Sequence, residues 1–288
     1  MNYFDIEGAC AVARYFPPSS ASTPEPALRG QAEWLASRES SRNQKIRLMP
    51  DAHPGKIGPI GLAMTVGETL LPDLVGIDMG CGVTLAKLRM KRRPDFGALS
   101  ALVREQIPAG FAVRDKLLPE ALSFNFERFR VLRHINVAGA QKSLGTLGGG
   151  NHFLEVDRDE EGAFWLAVHS GSRRVGVEVA GRYMQLASAQ AAGSPKGKGA
   201  FEEAPLSGGL LSDYLSDLEG ACAYAEASRR AMLRLICGGM RWKMESVLSV
   251  VHNYVDCSDT VPILRKGAIS AKAGEPVAIP INMRDGIL

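Results

Sequence analysis

The chain has 288 residues, of which 45% are hydrophobic, and this is the composition of a globular protein with a sizeable buried core. Its formal net charge of +3 permits an RNA or phosphate partner without indicating one. The sequence shows neither a secretory signal pattern nor an apolar run long enough to span a membrane. Five cysteines without a framework spacing argue against a disulfide scaffold, so we predict a soluble cytoplasmic protein.

Strands and helices are predicted to alternate irregularly along the chain. A Pro/Ser-rich loop (17–26) precedes a helix in ALRGQAEWLASRE. Short apolar runs bounded by Gly or Pro predict buried strands at 60–66, 74–77, 82–88 and 163–169, and β-branched residues predict another at 245–255. Helical spacing of apolar residues predicts helices at 96–107, 175–192 and 210–237, the last of them stopping at Gly238-Gly239. Residues 192–200 are predicted to form a mobile surface loop.

The segment VGIDMGCG (75–82) sets a carboxylate, Asp78, and a thiol, Cys81, three residues apart between glycines. Three histidines, His152, His169 and His252, each end an apolar run beside Gly, Asn or Ser. For any single histidine, a hydrogen-bonded core or loop residue is the competing interpretation. Together these residues predict a mixed O/N/S metal site for a zinc-, manganese- or iron-type ion. A thiolate that touches two ions would form the clamp that phosphoryl chemistry uses.

Two further segments predict phosphate contacts. In GTLGGGNHFLE (145–155) the backbone N–H groups of the glycines could cradle an anion, although a hairpin-like glycine turn is an equal alternative. In HSGSRR (169–174) Arg173 or Arg174 could grip a phosphate, or the pair could be solvated near a helix start. The basic run KLRMKRRP (87–94) is better interpreted as a solvated strand end than as an RNA patch.

Metal-capable residues thus recur at strand ends, a usual place for functional side chains. We predict an α+β fold, with a single mixed domain over residues 1–288 in which β-sheets form a central metal-binding core flanked by helices.

Six motifs in chain order, from residue 50 to about 274, resemble the RtcB family of RNA-splicing ligases: PDAHPGK, VGIDMGCG, GTLGGGNHFLE, HSGSRR, HNY and RKGAISAKAG. The first 45 residues match the family weakly. The resemblance implies an RtcB-like fold and a manganese-dependent, GTP-consuming ligase. Such an enzyme joins RNA ending in a 3′-phosphate or 2′,3′-cyclic phosphate to RNA bearing a 5′-hydroxyl.

The resemblance also implies roles for individual residues. Cys81 resembles the thiolate that bridges two manganese ions, Asp78 and His152 the other protein ligands of one ion, and His169 and His252 those of the second. The residues that resemble the guanine-nucleotide and metal-orienting segment are Asn151, His152, Phe153 and Glu155, with Asn253 beside a ligand in the HN pair. Arg173 resembles an arginine that binds RNA phosphate. His53 lies in a family motif without an assignable role.

The family's guanylylated histidine lies in a His-Gly-Ala-Gly-Arg segment downstream of RKGA, and none of the five histidines here matches it. We therefore identify no catalytic nucleophile, and ligase activity of these 288 residues is in doubt. Either a fragment of a longer gene product or a truncated paralogue is expected. The alternative function is a non-ligase, metal-dependent RNA- or nucleotide-binding protein with phosphatase-like hydrolysis, in which water is the nucleophile.

Overall fold

A computed structural model describes residues 3–18, 23–90, 92–192, 204–282 and 285–287 of the chain. Its contacts group into two compact units that are interleaved along the sequence. Unit 1 comprises residues 1–77, 179–218 and 252–269, and unit 2 comprises residues 78–178, 219–251 and 270–288. The assignment of all 288 residues to one domain stays a prediction.

Strands and helices are mixed along the chain, which confirms the α+β class. The strands are β1 (Phe4–Glu7), β2 (Val12–Tyr15), β3 (Ile46–Pro54), β4 (Pro59–Thr65), β5 (Thr69–Leu70), β6 (Gly82–Arg89), β7 (Phe153–Arg158), β8 (Phe164–Ser170), β9 (Leu206–Ser207), β10 (Lys243–Val251), β11 (Asn253–Asp256), β12 (Ile263–Lys266), β13 (Pro280–Asn282) and β14 (Gly286–Ile287). The α-helices are α1 (Pro26–Ala36), α2 (Pro72–Val75), α3 (Phe96–Gln106), α4 (Pro119–Ser123), α5 (Val137–Ser143), α6 (Arg173–Ala192) and α7 (Gly208–Met240).

Unit 1 is built on a six-stranded sheet in the order β1-β2-β3-β4-β12-β11. Neighbouring strands are antiparallel except β2 and β3, which are parallel. Residues alternate between the two faces of a strand, and one face of this sheet is apolar and buried through Ile46, Leu48, Leu62 and Leu264. Helix α1 contacts β1, β2, β3 and β4 and buries Leu28 and Leu35 completely or nearly so.

Unit 2 contains an antiparallel four-stranded sheet in the order β10-β6-β8-β7. The register pairs Val83 of β6 with His169 of β8, and His169 in turn with Phe153 of β7. On one face Leu166 and Val168 pack with residues of α7 in a buried apolar cluster. This register brings the start of β6, the end of β8 and the start of β7 to the same end of the sheet.

Most of the predicted elements are confirmed, including the strands at 60–66, 82–88 and 163–169 and the helices at 96–107 and 175–192. The strand predicted at 74–77 is wrong. Pro72 and Asp73 instead begin the short helix α2, since proline is preformed for a first helical turn and an acid there is favourable. The strand predicted at 245–255 is interrupted at His252, where the chain leaves one sheet and enters another.

The long helix predicted at 210–237 is confirmed as α7, which ends at Met240, one residue beyond the predicted stop at Gly238-Gly239. Gly239 packs closely against α3: a Cβ there would lie 2.5 Å from a methyl carbon of Leu102, which would have to move. Arg241, the first residue after the helix, adopts a φ of 55°. The loop predicted at 192–200 lies outside the described residues from 193 onward. Within the described ranges, none of the helices combines the length and apolar character that crossing a membrane needs.

The buried face of the six-stranded sheet should dominate the stability of unit 1. Leu48→Ala, at a fully buried position of β3, is expected to lower the free energy of unfolding by about 2–5 kcal/mol, because it leaves a cavity in a close-packed layer. Leu122→Ala is the matched control, since this leucine is 64% exposed and its loss should cost less than about 0.5 kcal/mol. Urea denaturation measures both, and equal effects would contradict the assigned face.

Candidate metal centre

The turn that carries Asp78 and Cys81 is compact and leads directly into β6. The backbone N–H of Cys81 donates to the carbonyl of Asp78 at 3.2 Å. Gly80 adopts a φ of 70°, and a Cβ at this position would lie 2.6 Å from the Cα of Cys222 in α7. No other residue fits this close approach between turn and helix, so the glycine sets where the Cys81 side chain lies.

The structure brings four of the predicted metal ligands together in unit 2. The Sγ of Cys81 lies 3.2 Å from Nε2 of His169 and 3.5 Å from Nε2 of His152. An Oδ of Asp78 lies 3.5 Å from the same nitrogen of His152. The ligand atoms of Asp78, Cys81 and His152 all lie within 4.8 Å of one another. This set of thiol, imidazole and carboxylate donors suits a divalent transition-metal ion.

Both imidazoles are held in a fixed orientation by backbone carbonyls. Nδ1 of His152 lies 2.9 Å from the carbonyl of Leu147, and Nδ1 of His169 lies 3.0 Å from that of Asn151. A carbonyl can only accept a hydrogen bond, so each Nδ1 donates and each Nε2 keeps its lone pair toward Cys81. Histidines that bind metals in proteins are oriented in the same way.

The thiol of Cys81 is in an unfavourable place for a negative charge. Its residue is 1% exposed, and burial raises the pKa of the thiol well above its ordinary value, with the charge of Asp78 raising it further. A thiolate here therefore needs a cation beside it. The side chain of Asp78 is 43% exposed whereas that of His152 is 6% exposed, so the cluster is open to solvent on its carboxylate side.

Arg229 of α7 supports this cluster from the buried side, and sequence analysis missed it. It is fully buried, and its guanidinium donates to the carbonyls of Gly80 at 2.8 Å and Ser170 at 2.7 Å and to Oγ1 of Thr84 at 2.9 Å. Gly80 precedes Cys81 and Ser170 follows His169, so one side chain ties together the backbone at both ligands. Burial lowers the pKa of Arg229, while the neighbouring Cys81 raises it. The available signal was an arginine on the apolar face of a predicted helix.

Of the residues expected near a nucleotide, Phe153 and Asn151 contact the cluster through His169. The ring of Phe153 is 5.0 Å from that of His169 in an edge-to-face arrangement. Asn151 contributes its backbone carbonyl to His169. Two residues beyond Phe153 in β7, Glu155 has a raised pKa, caused first by burial and then by the nearby carboxylate of Asp157.

Arg173, rather than Arg174, faces the glycine-rich segment. Its φ of 52° turns the chain at the start of α6, and its guanidinium donates to the carbonyl of Gly110 at 2.7 Å and to Oγ1 of Thr146 at 3.3 Å. Burial lowers the pKa of Arg173, and the charge of Asp78 opposes that shift. Arg174 instead pairs with Glu178 at 2.8 Å within the helix.

The remaining predicted residues, His53, His252 and Asn253, belong to unit 1. His252 is the residue after Val251, the last of β10, and its carbonyl accepts from the N–H of Ala268 at 3.3 Å; its part in the centre stays a prediction. The amide of Asn253 donates to the carbonyl of Val75 at 3.0 Å, three residues before Asp78 in the chain. His53 is exposed in β3, with Nδ1 3.0 Å from the carbonyl of Asp51.

Fold and site together define a class: a mixed α and β protein with a cysteine, histidine and aspartate cluster that could hold a metal ion. The family model described as tRNA-splicing ligase RtcB matches residues 36–136 and 125–286. The chain belongs to this family.

Several relatives match most of the chain. RNA-splicing ligase RtcB of Escherichia coli K12 is 27% identical in an alignment of 276 residues, and the match covers 83% of this chain and 67% of the relative. RNA-splicing ligase RtcB1 of another Escherichia coli strain is 27% identical over 275 residues, with the same coverage of 83% and 67%. tRNA-splicing ligase RtcB of Thermococcus kodakarensis is 25% identical in an alignment of 319 positions. The match covers 82% of this chain and 66% of the relative. The chain thus spans about two thirds of their length.

Removing the guanidinium of Arg229 should loosen the cluster. Arg229→Met leaves two buried carbonyls without a donor, each costing about 1–3 kcal/mol, and is expected to lower both stability and divalent-metal affinity. Met232→Ala, at an equally buried position of α7, should cost about 2–5 kcal/mol in stability and leave metal affinity unchanged. Denaturation and calorimetric metal titration separate the two effects. Unchanged metal affinity in Arg229→Met would show that the arginine supports only the core.

Binding of a divalent ion at this cluster should depend on pH. Because burial raises the pKa of the Cys81 thiol, the metal-free protein holds that proton at neutral pH, and an ion must displace it. Above the ordinary histidine range near pH 6.5, the apparent affinity should therefore rise about tenfold per pH unit. Asp78→Asn should weaken binding and keep this slope. Calorimetric titration with manganese at several pH values measures this slope. An apparent affinity that does not change with pH would mean that the thiol is not the ligand.

Proposed function

We propose that this RtcB-family protein acts in GTP- and manganese-dependent RNA ligation, joining a 3′-phosphate or 2′,3′-cyclic phosphate end to a 5′-hydroxyl end. Family membership and the names of its relatives support RNA splicing as the process. The observation that carries the proposal is the Cys81 thiol between two imidazole Nε2 atoms whose Nδ1 atoms are fixed by carbonyls.

Two manganese ions would share this centre. Asp78 and His152 would hold one ion and His169 the other, with Cys81 between them. His252 would complete the second set, and its place in the chain directly after β10 supports this. When bound, the ions would neutralise negative charge on the phosphates undergoing transfer. The fixed Nδ1 hydrogen bonds keep both imidazoles ready to receive a cation without reorientation.

The chain's own residues would bind the nucleotide and the RNA end. Glu155 and Phe153 would contact the guanine nucleotide, with Asn151 and Asn253 orienting the backbone around the metal ligands. Arg173 would bind an RNA phosphate, because its guanidinium already lies against the glycine-rich segment. A guanidinium that is partly shielded from water binds a phosphate oxygen more strongly than a solvated one does.

Metal stoichiometry tests the proposal directly. The wild-type chain is expected to bind two manganese ions and to bind GTP more tightly in their presence. Cys81→Ala should lose both ions, because the bridging ligand is gone. Cys237→Ala is the matched control: this cysteine is also buried, at 3% exposure, but lies in the apolar cluster under the sheet. Loss of metal in both variants, or in neither, would contradict the assignment of Cys81.

Two assays with labelled substrates test for a nucleophilic histidine and for the hydrolytic alternative. No histidine of this chain matches the guanylylated one, so GTP labelled at the α-phosphate is expected to bind without forming a stable adduct. An adduct that survives denaturation would show that one of the five histidines is the nucleophile. Manganese-dependent release of phosphate from a 3′-phosphate RNA without GTP would instead support a phosphatase-like activity.

A further inference from the structure

A row of charged and aromatic side chains crosses the face of the unit 1 sheet that lies opposite the apolar core. The strand registers align one residue from each strand, in the sheet order Asp5, Arg14, Arg47, Ala63, Arg265 and Tyr254. Side chains alternate along a strand, so this row and the buried Ile46 and Leu48 point to opposite faces. The packing of the apolar core does not require charged side chains on this opposite face.

Two guanidiniums of the row are direct neighbours. Arg14 of β2 and Arg47 of β3 are register partners, and like charges at such positions are destabilising. Asp5 accepts hydrogen bonds from Arg14 at 2.8 and 3.0 Å and interacts with Arg47 only through its charge, so one carboxylate faces two guanidiniums. These bonds also lower the pKa of Asp5, so the carboxylate is charged at neutral pH. Arg47 donates to the carbonyl of Ile46 at 2.9 Å and has no ion pair among the described residues.

The same corner of the sheet contains a cavity of about 360 Å³. Arg14, Lys45 and Arg47 line it together with a single carboxylate, that of Asp5. Lys45 is exposed and, like Arg47, has no carboxylate partner in the part of the chain that the structure describes. The cavity therefore carries a net positive charge, and two of its cations are available to an anion.

An aromatic ring borders these cations. The ring of Tyr3 lies 3.8 Å from the guanidinium carbon of Arg14, is 48% exposed and sits 6.2 Å from the ring of Phe16. Proteins that bind single-stranded nucleic acid combine cations for the phosphates with aromatic faces on which bases stack. An acidic polypeptide would satisfy the cations but would bring no base to the ring.

We propose that this corner of the sheet, formed by Tyr3, Arg14, Lys45 and Arg47, binds the backbone of single-stranded RNA, with Lys45 and Arg47 on phosphates and Tyr3 stacking on a base. The choice of RNA rests on the proposed function, whereas the positive cavity does not. Strands β1 and β2 precede residue 36, where the match to the family model begins. The surface is therefore partly built from a segment that the family pattern does not describe.

The test measures binding without catalysis. Fluorescence anisotropy with a labelled single-stranded RNA of about 12 nucleotides, carrying a 3′-hydroxyl and kept in chelator, reports affinity as salt is varied. Each lost phosphate contact should lower the slope of log affinity against log salt by about 0.7, so Lys45→Gln/Arg47→Gln should lower it by about 1.4. The single substitution Arg47→Lys keeps the positive charge, so its slope of log affinity against log salt should stay close to that of the wild type.

Matched variants show whether the effect is local. Arg29→Gln/Arg230→Gln removes two exposed arginines that are paired with glutamates on their own helices, and should leave the slope unchanged. Thermal melting confirms that each variant is folded. Equal slopes for the wild type and Lys45→Gln/Arg47→Gln would overturn the proposal, as would competition by polyglutamate as effective as that by unlabelled RNA.

The same assay separates this inference from the metal centre. Cys81→Ala is expected to lose manganese and to keep the salt slope of RNA binding, because Cys81 does not line the positive cavity. If the wild type binds no manganese but retains the steep slope, the proposed ligase function fails and the RNA surface stands. If manganese binds and the slope does not change on substitution of Lys45 and Arg47, only the surface assignment fails.

Discussion

The guanidinium of Arg229 holds two backbone segments in place. One segment carries the thiol of Cys81 and the other carries the imidazole of His169. The guanidinium donates to the carbonyl that precedes Cys81 and to the one that follows His169, and it reaches Thr84 inside β6. Its three acceptors lie in the turn before β6, within β6 and at the end of β8, so the guanidinium links the start of β6 to the end of β8. The 3.2 Å separation of Sγ and Nε2 depends on the spacing of these two strand ends. Helix α7 is thus both a core element and the support of the site.

Burying the Arg229 guanidinium and the Cys81 thiol together has an electrostatic cost. A buried arginine and a buried thiol each have a pKa moved toward the neutral form by loss of solvent, and each partly offsets the shift of the other. Without a metal the cluster holds Cys81 as a thiol and leaves Asp78 partly solvated. A bound cation would favour the thiolate and add its binding energy to the stability of the fold. A metal ion bound at this site would therefore couple metal occupancy to folding.

Sequence patterns predicted the strands that carry the ligands, because glycine-bounded apolar runs leave few alternatives to a buried strand. They also placed Asp78, Cys81, His152 and His169 in one site, which the strand register explains. They did not reveal tertiary contacts, such as the close approach of Gly239 to Leu102. Arg229 was missed for the same reason, since its partners are backbone carbonyls about 60 and 150 residues away in sequence, which no local pattern encodes.

The interleaving of the two units has a consequence for how the protein is made. Strand β4 pairs with β12, and β6 with β10, so neither large sheet is complete until residues near 251 and 266 have been synthesised. Pairing across such sequence separations is slow, because loop closure must precede any gain from contact. Until then the edge of β4 that will pair with β12 and the edge of β6 that will pair with β10 remain unpaired. Exposed strand edges promote aggregation. Production of this protein should therefore depend on chaperones and on the speed of elongation more than its ordinary composition suggests.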